Sequence, residues 1–319
     1  MSNSPVSQAV WLYRESGIDR TGQSRHAEKI RIRAELVERG ISPTPQRIDR
    51  QMGIHSFKTA SAYRDTWIRV FRHAREHFNL RKIIDIEPRH IKHYLDAKVE
   101  GRVACATLKQ YTSALQKLEK ALGDMALKKG YNRTYDFSSA LEPARLSARS
   151  LDRPQGSRAY RTPQDIILHL RHPDHDIAAR LQLEGGARIR EASHIKPDQL
   201  EGFRTDRVTG EMRGVIRVRG KGNKIRRINV SPEAYRLLAE KVKARGIFLF
   251  NKGTYRRDIE RAAGITMQPY TGSHGLRWNF AQHRFITATA RGYTGEQAMA
   301  LISHEMGHNR ADITLHYLQ

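Results

Sequence analysis

Ser303-His304-Glu305-Met306-Gly307-His308-Asn309, followed by His316-Tyr317-Leu318-Gln319, is the stretch around which the whole chain is read. It sets a His directly after a Gly and, nine positions on, a Tyr close to the last residue. A tyrosine oxygen can be a covalent nucleophile, and an imidazole can donate a hydrogen bond to an anionic oxygen. Alone the pair carries little, because a tyrosine near a terminus is most often a filler or capping residue. It gains meaning only if the rest of the chain supplies cations to hold a phosphate. His304 and His308 also have the i, i+4 spacing of half a zinc site. Gly307 would weaken the helix that such a site needs, so no metal is expected.

Three upstream patches supply those cations. Gly186-Ala187-Arg188-Ile189-Arg190-Glu191-Ala192 puts an Arg after a glycine-bearing helix junction, where it can project at a ligand. Gly220-Lys221-Gly222-Asn223-Lys224 reads as a hairpin turn whose glycines let the backbone approach a substrate and whose Lys can reach it. His274-Gly275-Leu276-Arg277 places a His and an Arg at i, i+3, on one face of a helix. Each has a plainer reading. A single Arg among 57 Lys and Arg is most often a surface charge, and Gly-Lys-Gly-Asn is most often only a turn.

The secondary structure around these patches is mostly helical with a small sheet. Thr162-Pro163 is an N-cap and N1 pair that opens a helix through Ile166, Ile167 and Leu170. Helical signal continues over 177–184, and 188–194 reads as a further helix. Short strands follow at 200–203, 214–218 and 225–230, the last two forming a hairpin. Ser231-Pro232 caps the next helix, to Lys243, and helices joined by glycine-bearing turns run from Thr254 onward.

The first half is all helical. Phe57 to Phe78 carries Ala60, Tyr63, Trp67, Val70, Phe71, Ala74 and Phe78 on one stripe. Pro88 opens a helix with Ile91, Tyr94, Leu95 and Val99 in phase, and another runs from about Ala104 to Leu122. Lys109, Lys117 and Lys120 are assigned to its outer face. Residues 24–39 read as a short basic helix with Ala27, Ile30, Ala34 and Val37 in phase, while 1–23 are weakly patterned. These signals divide the chain into a basic arm (1–44), a helical unit (45–130), a linker (131–161) and a second domain (162–319), an α+β organisation.

The formal net charge is +24 and the pI about 10.5. Such an excess points to a polyanion, nucleic acid before a membrane surface or another acidic polymer. No apolar run approaches the ~18–20 residues that span a bilayer. Met1-Ser2-Asn3-Ser4-Pro5 lacks a signal-peptide layout. Cys105 is the sole cysteine, which excludes an internal disulfide and fits a reducing, intracellular setting.

In this order, the four patches resemble the catalytic domain of the tyrosine recombinases, the phage-integrase type of site-specific DNA recombinase. Gly186, Arg188 and Glu191 match the family's Gly-x-Arg-x-x-Glu. Lys221 and Lys224 match its hairpin Gly-Lys-Gly-x-Lys, and His274 and Arg277 its His-x-x-Arg box. Gly307-His308 and Tyr317 match its Gly-His and nucleophile. The resemblance implies a core-binding domain in the helical unit, and DNA cleavage and rejoining through a 3′-phosphotyrosine on Tyr317. Arg188, Lys221, His274, Arg277 and His308 would be the other catalytic residues, with Glu191 supporting. It implies no cofactor and no metal, double-stranded DNA as partner, a tetramer on two DNA sites, and a cytoplasmic, nucleoid-associated protein that integrates or excises a mobile element. Departures are the two residues after Tyr317, a longer segment around 287–295, and residues 1–40. The short end implies that the natural chain continues or that subunits communicate differently. A type IB topoisomerase and a DNA-binding regulator without catalysis are the rival readings.

Overall fold

The computed structural model describes residues 4–151, 156–220, 225–307 and 312–318. The chain divides into two compact units, Met1–Pro154 and Gln155–Gln319. The architecture is mostly helical with small antiparallel sheets, as the sequence indicates. No helix among the described residues is long and apolar enough to cross a membrane.

The first unit holds α1 (Pro5–Glu15), α2 (Arg25–Glu38), α3 (Pro45–Gln51), α4 (Phe57–Phe78), α5 (Pro88–Glu100), α6 (Cys105–Lys129) and α7 (Ser138–Ser147). Ser4, Ser24, Thr44 and Ser56 cap the first four, each side chain accepting from the N–H three residues on. Leu12, Trp67, Val70, Phe71, Ile91, Leu95, Leu115, Leu118, Phe137 and Leu141 share one core. The buried Trp67 indole donates to the Ala114 carbonyl at 2.7 Å, so α4 is locked to α6 by a satisfied polar group as well as by apolar area.

Four details depart from the sequence reading. Residues 1–23 contain α1, whose Ala9, Leu12 and Tyr13 belong to the main core rather than to a separate arm. In α2 the buried face is Ile32 and Leu36, packed with Ile48 and Met52, while Ile30 and Val37 are exposed. Lys117 points inward, donating to the carbonyls of Asp49 and Met52. α6 runs past the expected Leu122 to Lys129, and part of the expected linker is helical, where α7 puts Ala140, Leu141 and Ala144 into the core.

The second unit holds α8 (Pro163–Leu168), α9 (Pro173–Gly185), α10 (Ile189–Ala192), β1 (His194–Ile195), β2 (Leu200–Thr205), β3 (Met212–Arg219) and β4 (Ile225–Val230). Then come α11 (Pro232–Arg245), β5 (Phe248–Leu249), α12 (Lys252–Ile265), α13 (His274–Ala290), α14 (Gly295–Glu305) and α15 (Asp312–Leu315). β2, β3 and β4 form one antiparallel sheet, with Gly214 opposite Val230 and Arg219 opposite Ile225. β1 and β5 form a second, two residues per strand. Ile216, Val218, Ile228 and Val230 bury one sheet face with Ile177, Leu181, Leu238 and Leu276. That packing fixes the ends of α9, β4 and α13, and Ile302 and Met306 at the end of α14 pack with Trp278 and Phe280 of α13, where the candidate site lies.

Candidate active site

The site begins at the α9 to α10 junction. Gly186 has φ +59°, a conformation that suits glycine, and a Cβ there would lie 2.5 Å from the Phe280 ring. The turn presents the Gly186 carbonyl to two guanidiniums. Arg277 and Arg226 both donate to it, the latter at 3.0 Å. Beneath the next residue, the Tyr255 hydroxyl donates to Gln182 at 2.8 Å, and Gln182 donates to the Ala187 carbonyl at 3.3 Å.

Arg188 caps α10, and Glu191 closes the turn by accepting from its backbone N–H at 2.8 Å and from its guanidinium at 2.7 Å. Glu191 also accepts from Arg226 at 2.6 Å. Burial alone would raise the Glu191 carboxyl, but Arg226 and the Arg188 hydrogen bonds outweigh it and hold it below the usual carboxylate range. Arg226 donates as well to the Glu305 carbonyl, tying β4 to the end of α14. Its own ionisation is lowered by burial and then supported by Glu191. It stays charged at neutral pH, as arginine does in proteins.

Arg277, in the first turn of α13, is fully buried. It donates to Gly186, and to the Met306 carbonyl at 2.7 Å. Burial, then the neighbouring Arg188 and Arg226, lower its pKa to about 10. His274, one turn earlier, places Nε2 3.0 Å from the Tyr317 hydroxyl. Burial, followed by the positive charges of Arg277, Arg158 and Arg188, lowers His274 to about 4, so the ring is neutral at pH 7. The Tyr317 ring packs with Trp278, Ile302 and Met306 and is 7% exposed.

The structure thus brings Arg188, Glu191, His274, Arg277 and Tyr317 together. Lys221 and His308 lie outside the described residues. Among the described residues no group of three His, Cys, Asp or Glu side chains could hold a metal ion. Three guanidiniums face one carboxylate, an imbalance that suits an anionic ligand.

Sequence reasoning missed Arg226 and Arg284. Arg226 sits in phase with the buried Ile228 and Val230, and a charged residue on the inward period of a strand was the available signal. Arg284 forks onto Asp206 at 2.8 and 3.1 Å and reaches Glu305 at 2.6 Å, bracing α14 from the other side.

No protein-family model matches the chain. The integrase of Escherichia phage 186 is 27% identical over 146 residues, which cover 46% of this chain and 38% of that protein. The chain therefore matches well under half the length of this curated relative. Two crystal structures of the XerH site-specific recombinase, bound to its difH substrate before cleavage and to a palindromic difH substrate after cleavage, match all of this chain and 94% of theirs. Their TM-scores are 0.63 and 0.61, at 15% and 14% identity. The chain shares the fold of these recombinase structures. Within this fold, α13 and the α9 to α10 junction come together at Gly186, and α14 delivers Met306 to the same point.

Proposed function

We propose that this protein is a site-specific DNA recombinase, and that Tyr317 is its nucleophile. One observation carries the reading: the Tyr317 hydroxyl lies 3.0 Å from a neutral His274, beside a cluster of guanidiniums in excess over carboxylate. The tyrosine oxygen attacks a backbone phosphorus, its proton passes to His274, and the bond from phosphorus to the 5′ oxygen breaks. Lys221 gives a proton to that departing oxygen. The products are a 3′-phosphotyrosine and a free 5′-hydroxyl, and a second DNA hydroxyl reverses the step to exchange strands.

Arg188, Arg277 and His308 stabilise charge on the non-bridging oxygens. Glu191 orients Arg188 and Arg226. Tyr317 is largely buried in the present arrangement, so the segment that follows α15 has to shift for in-line attack. The helical unit grips duplex DNA through phosphate contacts. A tetramer on two duplexes, acting at the nucleoid to integrate or excise a mobile element, completes the reading.

The test is a nicked duplex carrying a candidate end sequence, incubated with protein and EDTA and run on a denaturing gel. A covalent protein–DNA band is expected. Tight binding with no band on a panel of end sequences would sink the catalytic reading and leave a DNA-binding regulator.

A further inference from the structure

Residues 157–162 form an irregular strap at the start of the second unit, and the proposed chemistry gives them no task. Two side-chain amides hold this strap as a partner strand would. Asn279, on α13, accepts from the Tyr160 N–H at 2.9 Å and donates to the Tyr160 carbonyl at 2.7 Å. Gln268 does the same for Thr162, at 3.0 and 3.2 Å. Each amide satisfies both backbone groups of one residue, so the strap is pinned in one register.

From that register the strap reaches the residues just before His274. The buried Tyr160 hydroxyl donates to the Gly272 carbonyl at 3.1 Å and accepts from the Thr271 N–H at 3.3 Å. Arg158 donates to the Thr271 carbonyl at 2.7 Å. Just after His274, the strap lies so close that Gly275 has no room for a side chain. A Cβ there would press on Thr271 Oγ1 and lie 2.7 Å from both the Arg158 carbonyl and the Tyr160 ring.

The start of α13 needs such support. His274 is its first residue, and Ser273, at the cap position, makes no side-chain capping hydrogen bond. An uncapped first turn leaves N–H groups without intrahelical partners and frays more readily. The residue that would fray is the one whose ring lies 3.0 Å from the Tyr317 hydroxyl. A displacement of about 1 Å at such a contact is enough to slow a reaction severely. A tether that merely stabilised the unit could grip α13 anywhere along its length. Arg158 and Tyr160 instead converge on Thr271, Gly272 and Gly275, immediately around His274.

We infer that the strap, through Tyr160, Asn279 and Arg158, is the positioning element that seats His274 against Tyr317. The inference rests on the reading that His274 takes the Tyr317 proton. The charged and titratable groups facing His274 are Arg277 on its own helix, Arg158 on the strap, Arg188 at the α9 to α10 junction, and His316 and Tyr317 near the chain end. A loosened strap withdraws Arg158 and lets water reach the ring, so His274 rises from about 4 toward 6.5.

Two measurements test this on the full chain with Tyr160→Phe, Asn279→Ala and a control, Ile259→Val, in the core of α12. Tyr160→Phe keeps the ring and removes only the hydroxyl, so it should fold. First, the His274 imidazole is titrated by NMR in the free protein, its signal assigned by its loss in His274→Gln. Both strap variants should titrate above wild type, and Ile259→Val should titrate with it. Second, single-turnover adduct formation on nicked duplex is followed against pH at saturating DNA. The strap variants should lose about tenfold in rate at neutral pH with DNA binding unchanged, and the acid limb of their profile should move to higher pH. A His274 titration unmoved in both strap variants, or moved equally in Ile259→Val, overturns the inference. Wild-type adduct rates in both strap variants overturn it too. If wild type forms no adduct on the whole panel of end sequences while the titrations move as expected, the hold of the strap on His274 stands and the reading of Tyr317 as nucleophile falls.

Discussion

His274 Nε2 and the Tyr317 hydroxyl lie 3.0 Å apart although 43 positions separate them in the chain. A neutral imidazole at that distance can take the phenol proton as the oxygen becomes a nucleophile. Tyr317→Phe should therefore bind DNA as tightly as wild type and form no covalent adduct. Parallel mobility-shift and denaturing gels check this, and an adduct in the variant would move the nucleophile to another residue.

His274 also ties stability to pH. Burial and neighbouring arginines lower it from 6.5 to about 4. Between those values the unfolded chain takes up a proton that the folded chain refuses. The group's contribution is full above pH 6.5 and is lost as pH falls toward 4. Urea midpoints should fall over that window, and the fall should be shallower in His274→Gln. Equal slopes in the two proteins would contradict the assignment.

Arg226 joins three segments that are distant in sequence. Removing it leaves Glu191 buried with one cationic partner fewer. Arg226→Met should cost about 3 kcal/mol in denaturant unfolding. Adding Glu191→Gln should recover part of that loss, because the two side chains touch. Strict additivity of the two substitutions would show that the contact carries no coupling.

Gly186→Ala combines an unfavourable positive φ with a clash against Phe280. A loss of about 2 kcal/mol is expected, from overpacking and backbone strain together. The same change should slow adduct formation, because the Gly186 carbonyl is the common acceptor for Arg226 and Arg277. Thermal unfolding and single-turnover cleavage would read the two effects.

Elements with a cap and a strong stripe were legible in the sequence. α4 combines the Ser56 cap with Trp67, Val70, Phe71 and Ala74 on one face, and its bounds could be read directly. α1 carries the same signal as α8, a cap residue followed by Pro, but its short pattern hid it. In α2, apolar residues lie on both sides of the helix, so periodicity alone could not select Ile32 and Leu36 over Ile30 and Val37. Two-residue strands such as β1 and β5 are too short to show a period. Arg188, Glu191, His274, Arg277 and Tyr317 could be named because their local spacing is distinctive. Arg226 and Arg284 have meaning only through long-range contacts, and Lys117 looked like one more surface charge.

Arg277 serves two ends with one side chain. Its donors bind the carbonyls of Gly186 and Met306, so the junction of three segments and the positive charge beneath Tyr317 form together. If the proposed function holds, a copy that fails to close this junction keeps its basic surface and can still settle on DNA. It lacks the assembled charge that cutting would require. Under the proposed function, the fold would thereby act as a safety interlock, in which imperfect copies are harmless occupants of DNA rather than sources of stray breaks.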